Sequence, residues 1–240
     1  MLHHPYTRIQ FPHSGRPPFV AINMVSSLDG KITSGGKLTP GSLGSPFDRK
    51  TMNVLRGHFD AVLTGGSTAR QHPYYLGVPS HCEKLRKKRG LRAQPLSIIL
   101  TRRGNLDPAA PLFTDPPRPP LIITSKQGAR SLSPKIKGAA NIETSAGGVQ
   151  DFLKLLFTKY GVNTLLVEGG ARTNYEFLQA GLVDQLFLTL APRLVGSAFD
   201  LTMAMGERVL ENKPRIILLS HFTRQNELFL RYKLNWEEQE

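Results

Sequence analysis

Glu168, Gly169 and Gly170 stand between the apolar run TLLV and the segment ARTNYEFLQAG, and this junction carries the residue types from which a ligand site is built. A short β-branched and apolar run that ends at a carboxylate and paired glycines predicts a buried strand closing in a tight turn. The helix formers from Arg172 to Ala180, closed by Gly181, predict a helix directly after it. The first N–H groups of such a helix lack internal partners, and with the helix dipole they attract phosphate. Glu168 then occupies the carboxyl end of a strand, where open α/β sheets bind ligands and where a charge needs a partner or a polar substrate. Paired glycines also occur in plain turns, so the motif by itself leaves both readings open.

The theme recurs along the chain. DAVLTGGSTAR repeats the strand and glycine turn, and Ser67 and Thr68 follow it with hydroxyls suited to capping a helix or touching a ligand. FVAINMV, Phe19 to Val25, reads as a strand running into the polar turn SSLDGKITSGG, where Asp29 is either an ordinary turn residue or a candidate catalytic group. In FDRKTMNVLRGHFD, Met52, Leu55 and Phe59 fall at helical spacing before and after Gly57. Arg56 near that helix end either meets the last carbonyls or reaches a substrate anion. Leu96 to Thr101 is a further strand, with Arg102, Arg103 and Gly104 at its end.

The elements that must position these groups are strands alternating with helices or long connections, which predicts an α/β sheet covered by helices. LIITS, Leu121 to Ser125, is the fourth strand, and the apolar face from Gly148 to Tyr160 predicts a helix ending at Gly161. In QLFLTLAP, Leu186, Leu188 and Leu190 alternate with Phe187 and Thr189 until Pro192 stops the strand. Arg215 to Ser220 and Leu228 to Leu234 read as an antiparallel hairpin at one edge. Residues 1–16 read as an extended N-terminal arm and residues 17–236 as a single domain.

At 240 residues and 40% apolar content, the chain has enough material for a substantial core. A single cysteine, Cys82, excludes an internal disulfide framework, and no apolar run has the length of a membrane span, so a soluble cytoplasmic protein is expected. The net charge of +13 admits nucleic acid, anionic membrane or a phosphorylated small molecule as partner. Much of the excess lies in KLRKKRGLR, Lys84 to Arg92, which lacks aromatic residues to stack bases and reads as a solvated helix or loop. Nucleic acid is therefore the less favoured partner. The seven histidines are dispersed, and zinc-deaminase, G-x-S-x-G and Walker sequences are absent, so no metal site is expected.

SSLDGKI, FDAVLTGGST, LLVEGGARTN and AGLVDQLFLTLAPRLVG, in that order between about Pro18 and Leu234, together resemble the riboflavin-biosynthesis pyrimidine reductase family. The resemblance implies a dihydrofolate-reductase-like fold with a mixed, mostly parallel sheet, a homodimer, and NADPH reduction of a ribosylamino-pyrimidine 5′-phosphate to its ribitylamino form. In bifunctional relatives this domain follows a zinc deaminase, for which neither room nor motif is expected here. Carried over by motif position, Gly170, Ala171, Arg172, Thr173 and Asn174 hold the cofactor pyrophosphate, with Gly169 shaping the turn and Thr68 and Val25 also on the cofactor. Glu168, Arg56 and Asn23 face the substrate, and Glu168 and Asp29 form the catalytic pair. Asn23 stands where bifunctional enzymes carry lysine and is similar to the stand-alone type. The family continues after its threonine with paired aspartates, a proline and an arginine, whereas this chain has Arg70, Gln71, His72, Pro73 and no arginine close behind. That departure keeps open another small substrate, such as a pterin or other imine or carbonyl compound. Arg102 and Arg103 are assigned to the cofactor 2′-phosphate, because arginine's planar fork suits a phosphate and both lie at a strand end.

Overall fold

A nine-stranded mixed sheet organises the chain, in a computed structural model that describes residues 4–11, 18–37 and 43–236. The first half contains β1 (Phe19–Ser27), α1 (Pro46–Arg56), β2 (Ala61–Gly65), α2 (Gly66–Gln71), α3 (Ser80–Lys88), β3 (Leu96–Thr101), α4 (Pro111–Thr114) and β4 (Leu121–Thr124). The second half contains α5 (Lys126–Ser131), α6 (Pro134–Ala139), β5 (Asn141–Thr144), α7 (Val149–Tyr160), β6 (Thr164–Val167), α8 (Ala171–Gln179), β7 (Gln185–Ala191), β8 (Arg215–Arg224) and β9 (Glu227–Asn235). The spatial order is β5-β4-β3-β2-β6-β1-β7-β9-β8. Pairings from β5 to β7 are parallel, while β9 joins β7 and β8 antiparallel.

The parallel strands are apolar almost throughout because both sheet faces are covered. Val20, Ile22, Leu63, Ile98 and Leu165 face one side, where they pack with Phe152 and Leu156 of α7 and Phe177 of α8. On the opposite face, Ala21, Val62, Leu166 and Phe187 meet Leu55 of α1, Phe59 and Tyr6. Further along that face, Ile99 and Ile122 pack with Leu112, Phe113 and Ile136.

Several boundaries differ from the sequence reading for definable reasons. Residues 4–11 are not an extended arm: Pro5–Arg8 form one 3-10 turn, Tyr6 is buried, and the His4 ring bonds Thr51 of α1 at 2.9 Å. The remainder of the expected arm, residues 1–3 and 12–16, lies outside the described residues. Phe59 lies beyond α1, which ends at Arg56 with Gly57 as its cap. The hairpin strands are longer than expected, since β8 and β9 run to a turn at Gln225 and Asn226, both with positive φ. β5, at the far edge, has no apolar run to announce it and was not expected. The basic run is largely solvated as expected, except that Arg86 is fully buried and donates to the carbonyls of Arg56, Phe59 and Arg92.

Candidate active site

Two glycine turns meet at the carboxyl end of the sheet. β6 stops at Glu168, whose N–H still donates to Leu63 O of β2 at 2.8 Å, and Gly65 N donates to Gly169 O at 2.8 Å. Gly169 has φ +82, a conformation costly for any side-chain-bearing residue, and the peptide to Gly170 is cis. The turns interlock through hydroxyls: a Cβ on Gly170 would lie 2.9 Å from Thr68 Oγ1, and one on Gly65 would strike Thr173 Oγ1. Gly170 caps α8 without any side-chain bond to its first turn, so those N–H groups point outward. α7 likewise begins at Gly148 without a side-chain cap.

In front of these turns opens a cleft of about 1030 Å³, lined by Gly65, Gly66, Thr68, Thr101, Arg102, Thr124, Ser125 and Gly148. Gly170, Ala171, Arg172 and Thr173 complete the wall on the α8 side, with Ile32, Leu201 and Met205 above. The upper wall exists because two distant loops are clasped together. Asp200 accepts from Thr33 Oγ1 at 2.7 Å and Gly36 N at 2.9 Å, and Ile32 N donates to Leu201 O at 2.8 Å. Arg102 is exposed, and its carbonyl accepts from Ser125 Oγ at 2.8 Å.

A second group of polar side chains lies on the α1 face of the same sheet edge. Arg56 grips Glu168 with Nε at 2.8 Å and Nη2 at 2.5 Å, and its Nη1 donates to Gly77 O at 3.0 Å. Both side chains of the pair are about nine-tenths buried, at 11% and 10% exposure. Asn23 and Val25 alternate with Ala21 along β1, so they point to the face that α1 covers. Thr189 pairs with Val25 across the β1–β7 ladder and belongs to the same face as Phe187. Asp48 of α1 completes this group. Burial first, and then the nearby Glu227 and Glu168, push its carboxyl up to about 6, against the lowering influence of the Thr189 hydroxyl and Arg49.

The expected site residues therefore separate into those brought to the sheet edge and those that are not. Thr68, Arg102, Gly170, Ala171, Arg172 and Thr173 line the cleft, with Gly169 in the turn beneath them. Glu168, Arg56, Asn23 and Val25 lie along the α1 face. Asp29 does not join them. Its carboxylate accepts from Ser27 Oγ at 2.6 Å and Gly196 N at 2.7 Å, and these bonds hold its pKa down to about 2 on the exposed surface. It pins one loop to another and retains no proton to give near neutrality. Asn174 also departs from expectation: it is fully buried, does not line the cleft, and donates from Nδ2 to Met203 O at 2.8 Å. Four residues into the helix, its side chain turns inward.

Asp48, Thr189, Asp200 and Glu227 were not anticipated. Asp48 looks like an ordinary first-turn helix acid after Ser45, and only tertiary packing sets it against Thr189. Among the described residues no group of His, Cys, Asp and Glu is arranged to hold a metal ion.

The sequence pattern of the RibD C-terminal domain matches residues 18–230. The chain belongs to that family. It is the family of the riboflavin-biosynthesis pyrimidine reductases, which makes the chain an oxidoreductase. The 2,5-diamino-6-ribosylamino-4(3H)-pyrimidinone 5′-phosphate reductase of Aquifex aeolicus is 29% identical over 90% of this chain and 96% of its own length. The riboflavin biosynthesis protein RibD of Escherichia coli is 26% identical over 75% of this chain but only 50% of its own length. In structure, a pyrimidine reductase-like protein from Corynebacterium diphtheriae superposes with a TM-score of 0.81 at 24% identity, covering 92% of this chain and 93% of the other. The fold is thus the mixed, mostly parallel sheet that the resemblance implied, with the C-terminal antiparallel hairpin that the residue pattern indicated.

Proposed function

We propose that the protein reduces 2,5-diamino-6-ribosylamino-4(3H)-pyrimidinone 5′-phosphate to the ribitylamino form, with NADPH as the reductant. One observation carries the choice of substrate: relatives named for this reaction are matched over 96%, 89% and 97% of their own lengths. Matches to bifunctional RibD proteins cover about half of those chains. Asn23, at the position where the bifunctional enzymes carry lysine, agrees with the stand-alone type.

The cleft suits a dinucleotide. The uncapped start of α8 with Gly169 to Thr173 and the Thr68 hydroxyl would hold the pyrophosphate, while Arg102 and Ser125 would meet the 2′-phosphate. When bound, NADPH supplies a hydride. The chain's own contribution is position and charge. Glu168 and Arg56 present a fixed, nearly neutral pair toward the substrate, and the guanidinium has more N–H donors than its three bonds use. The remaining donors would take a substrate anion. The working unit we infer is a cytoplasmic homodimer; the long edge strand β8, with Ile216 and Leu218 exposed, supports an interface between copies. Among the described residues no helix is long and apolar enough to cross a membrane.

Following NADPH oxidation at 340 nm with the diamino pyrimidine phosphate, the amino-oxo pyrimidine phosphate and dihydrofolate tests the assignment. Turnover with the diamino compound at a kcat/KM at least 10-fold above the others is expected. Preference for either alternative refutes it.

A further inference from the structure

We propose that Arg70 binds the pyrophosphate of the cofactor, holding it from the α2 side of the cleft against the start of α8. The inference rests on the cofactor reading given above and deepens it.

Arg70 owes its position to helix geometry and to a missing side chain. Side chains on a helix lean toward its N-terminus and cover the residue four positions earlier, which for Arg70 is Gly66. Gly66 leaves that space open, and Arg70 Nη1 lies 3.5 Å from where a Cβ on Gly66 would stand. Thr101 Oγ1, at the end of β3, approaches the same point to 2.7 Å, so a guanidinium and a hydroxyl converge on this glycine. One residue earlier, a Cβ on Gly65 would lie 3.6 Å from Gly170 N, the amide that opens α8. Neighbouring Cα atoms are about 3.8 Å apart. The guanidinium and the α8 start therefore flank one short stretch of the cleft, which Gly65, Gly66, Arg70, Thr101 and Gly170 all line.

That stretch calls for a full positive charge, and the cation nearest to it in sequence is engaged elsewhere. A helix start offers N–H donors and a charge of only about one half, whereas each phosphate of a dinucleotide's pyrophosphate bears a whole negative charge. Arg172 stands in the first turn of α8, but its Nε lies 3.5 Å from Glu176 Oε1 and its Nη2 3.8 Å from Glu207 Oε1. Arg70 pairs with no carboxylate among the described residues. Its guanidinium donates to Asn105 O at 3.4 Å, a long bond that leaves most of its N–H donors for a ligand. The planar fork meets two phosphate oxygens at once.

The bond to Asn105 also defines the competing role, a tie between α2 and the loop that carries Arg102. Loss of such a tie would disturb the 2′-phosphate contact and so weaken NADPH selectively. Loss of a pyrophosphate contact weakens NADPH and NADH alike, because the two share that group.

The test measures NADPH and NADH binding by nucleotide fluorescence, without substrate, for wild type, Arg70→Ala, Arg70→Lys and Arg172→Ala, with thermal melts confirming folding. Arg70→Ala should weaken both nucleotides about 10-fold or more and leave the ratio of their affinities within about 2-fold of wild type. Arg70→Lys keeps the charge without the fork and should fall between wild type and Arg70→Ala. Arg172→Ala should weaken either nucleotide less than about 3-fold. Unchanged binding in Arg70→Ala, a loss confined to NADPH, a lysine no better than alanine, or a larger loss in Arg172→Ala than in Arg70→Ala overturns the proposal. A wild type that binds neither nucleotide overturns the cofactor reading itself, a result distinct from wild-type binding that Arg70→Ala leaves intact.

Discussion

Replacing Glu168 by glutamine removes one charge while nearly preserving shape, and its effect follows from two bonds. The carboxylate accepts from Arg56 at 2.8 and 2.5 Å in surroundings where it is only 10% exposed. An amide keeps one acceptor and turns an NH₂ group toward the guanidinium, so about one charge-assisted bond is lost, worth about 1.5–3 kcal/mol. If the pair orients the substrate, kcat/KM falls roughly 10- to 150-fold, because about 1.4 kcal/mol corresponds to tenfold. NADPH affinity should change less than about 3-fold, since the turn and the α8 start are built from backbone on the other side of that residue. Turnover is followed at 340 nm, and cofactor binding by NADPH fluorescence. Arg56→Met alone should destabilise by about 3–5 kcal/mol, leaving a buried unpaired carboxylate, and Arg56→Met with Glu168→Gln should recover much of that stability without recovering activity. Equal losses of NADPH affinity and turnover in Glu168→Gln would refute the assignment of Glu168 to the substrate side.

Gly170→Val should abolish NADPH binding, because its Cβ would lie 2.9 Å from Thr68 Oγ1 and its branches would cover the α8 start. A folded variant with normal affinity would move the cofactor elsewhere. Arg102→Ala should weaken NADPH about 10-fold or more and leave NADH nearly unchanged, since only the 2′-phosphate distinguishes them. Parallel losses for both cofactors count against the arginine. His4 and His58 are buried neutral, burial being the first cause that brings each pKa down to about 4 from 6.5. The unfolded chain then binds more protons between those values, so stability present above about pH 6.5 is lost on acidification toward 4, on the order of 2 kcal/mol for each ring. Urea midpoints at pH 7, 5.5 and 4 measure it, and a His4→Gln, His58→Gln double variant with an unaltered acid slope would contradict it.

The parallel half of the sheet was legible because its strands are short apolar runs bounded by glycine, and because α1 and α7 carry their apolar residues at helical spacing. Period and punctuation are local properties, so they survive without coordinates. β5 failed that test. Its residues NIET are half-buried or exposed at the sheet edge, where the lack of a second covering layer leaves no apolar signature. Arg86 failed in the other direction: within KLRKKRGLR it is one cation among several, and only packing buries it against the carbonyls of Arg56 and Phe59 at the end of α1 and of Arg92 in its own loop.

The turn at Glu168 to Gly170, its twin at Gly65 and Gly66, and the exposed helix start beyond were written in residue order, since backbone that must turn sharply and meet an anion tolerates few residue types. Membership of the reductase family followed from those ordered motifs. Only the tertiary structure shows which of the polar residues are tied into holding loops. Asp29 and Asn174 carry suitable chemistry at suitable spacing, yet one clamps Val195 and Gly196 and the other supports Met203. Asp48 has no local mark: burial first, and then Glu227 and Glu168, which lie 120 or more residues away in the chain, push its carboxyl up. A carboxyl's proton affinity is set by burial and by the charges around it, and those are fixed only when the sheet closes and β9 ties down the start of α1.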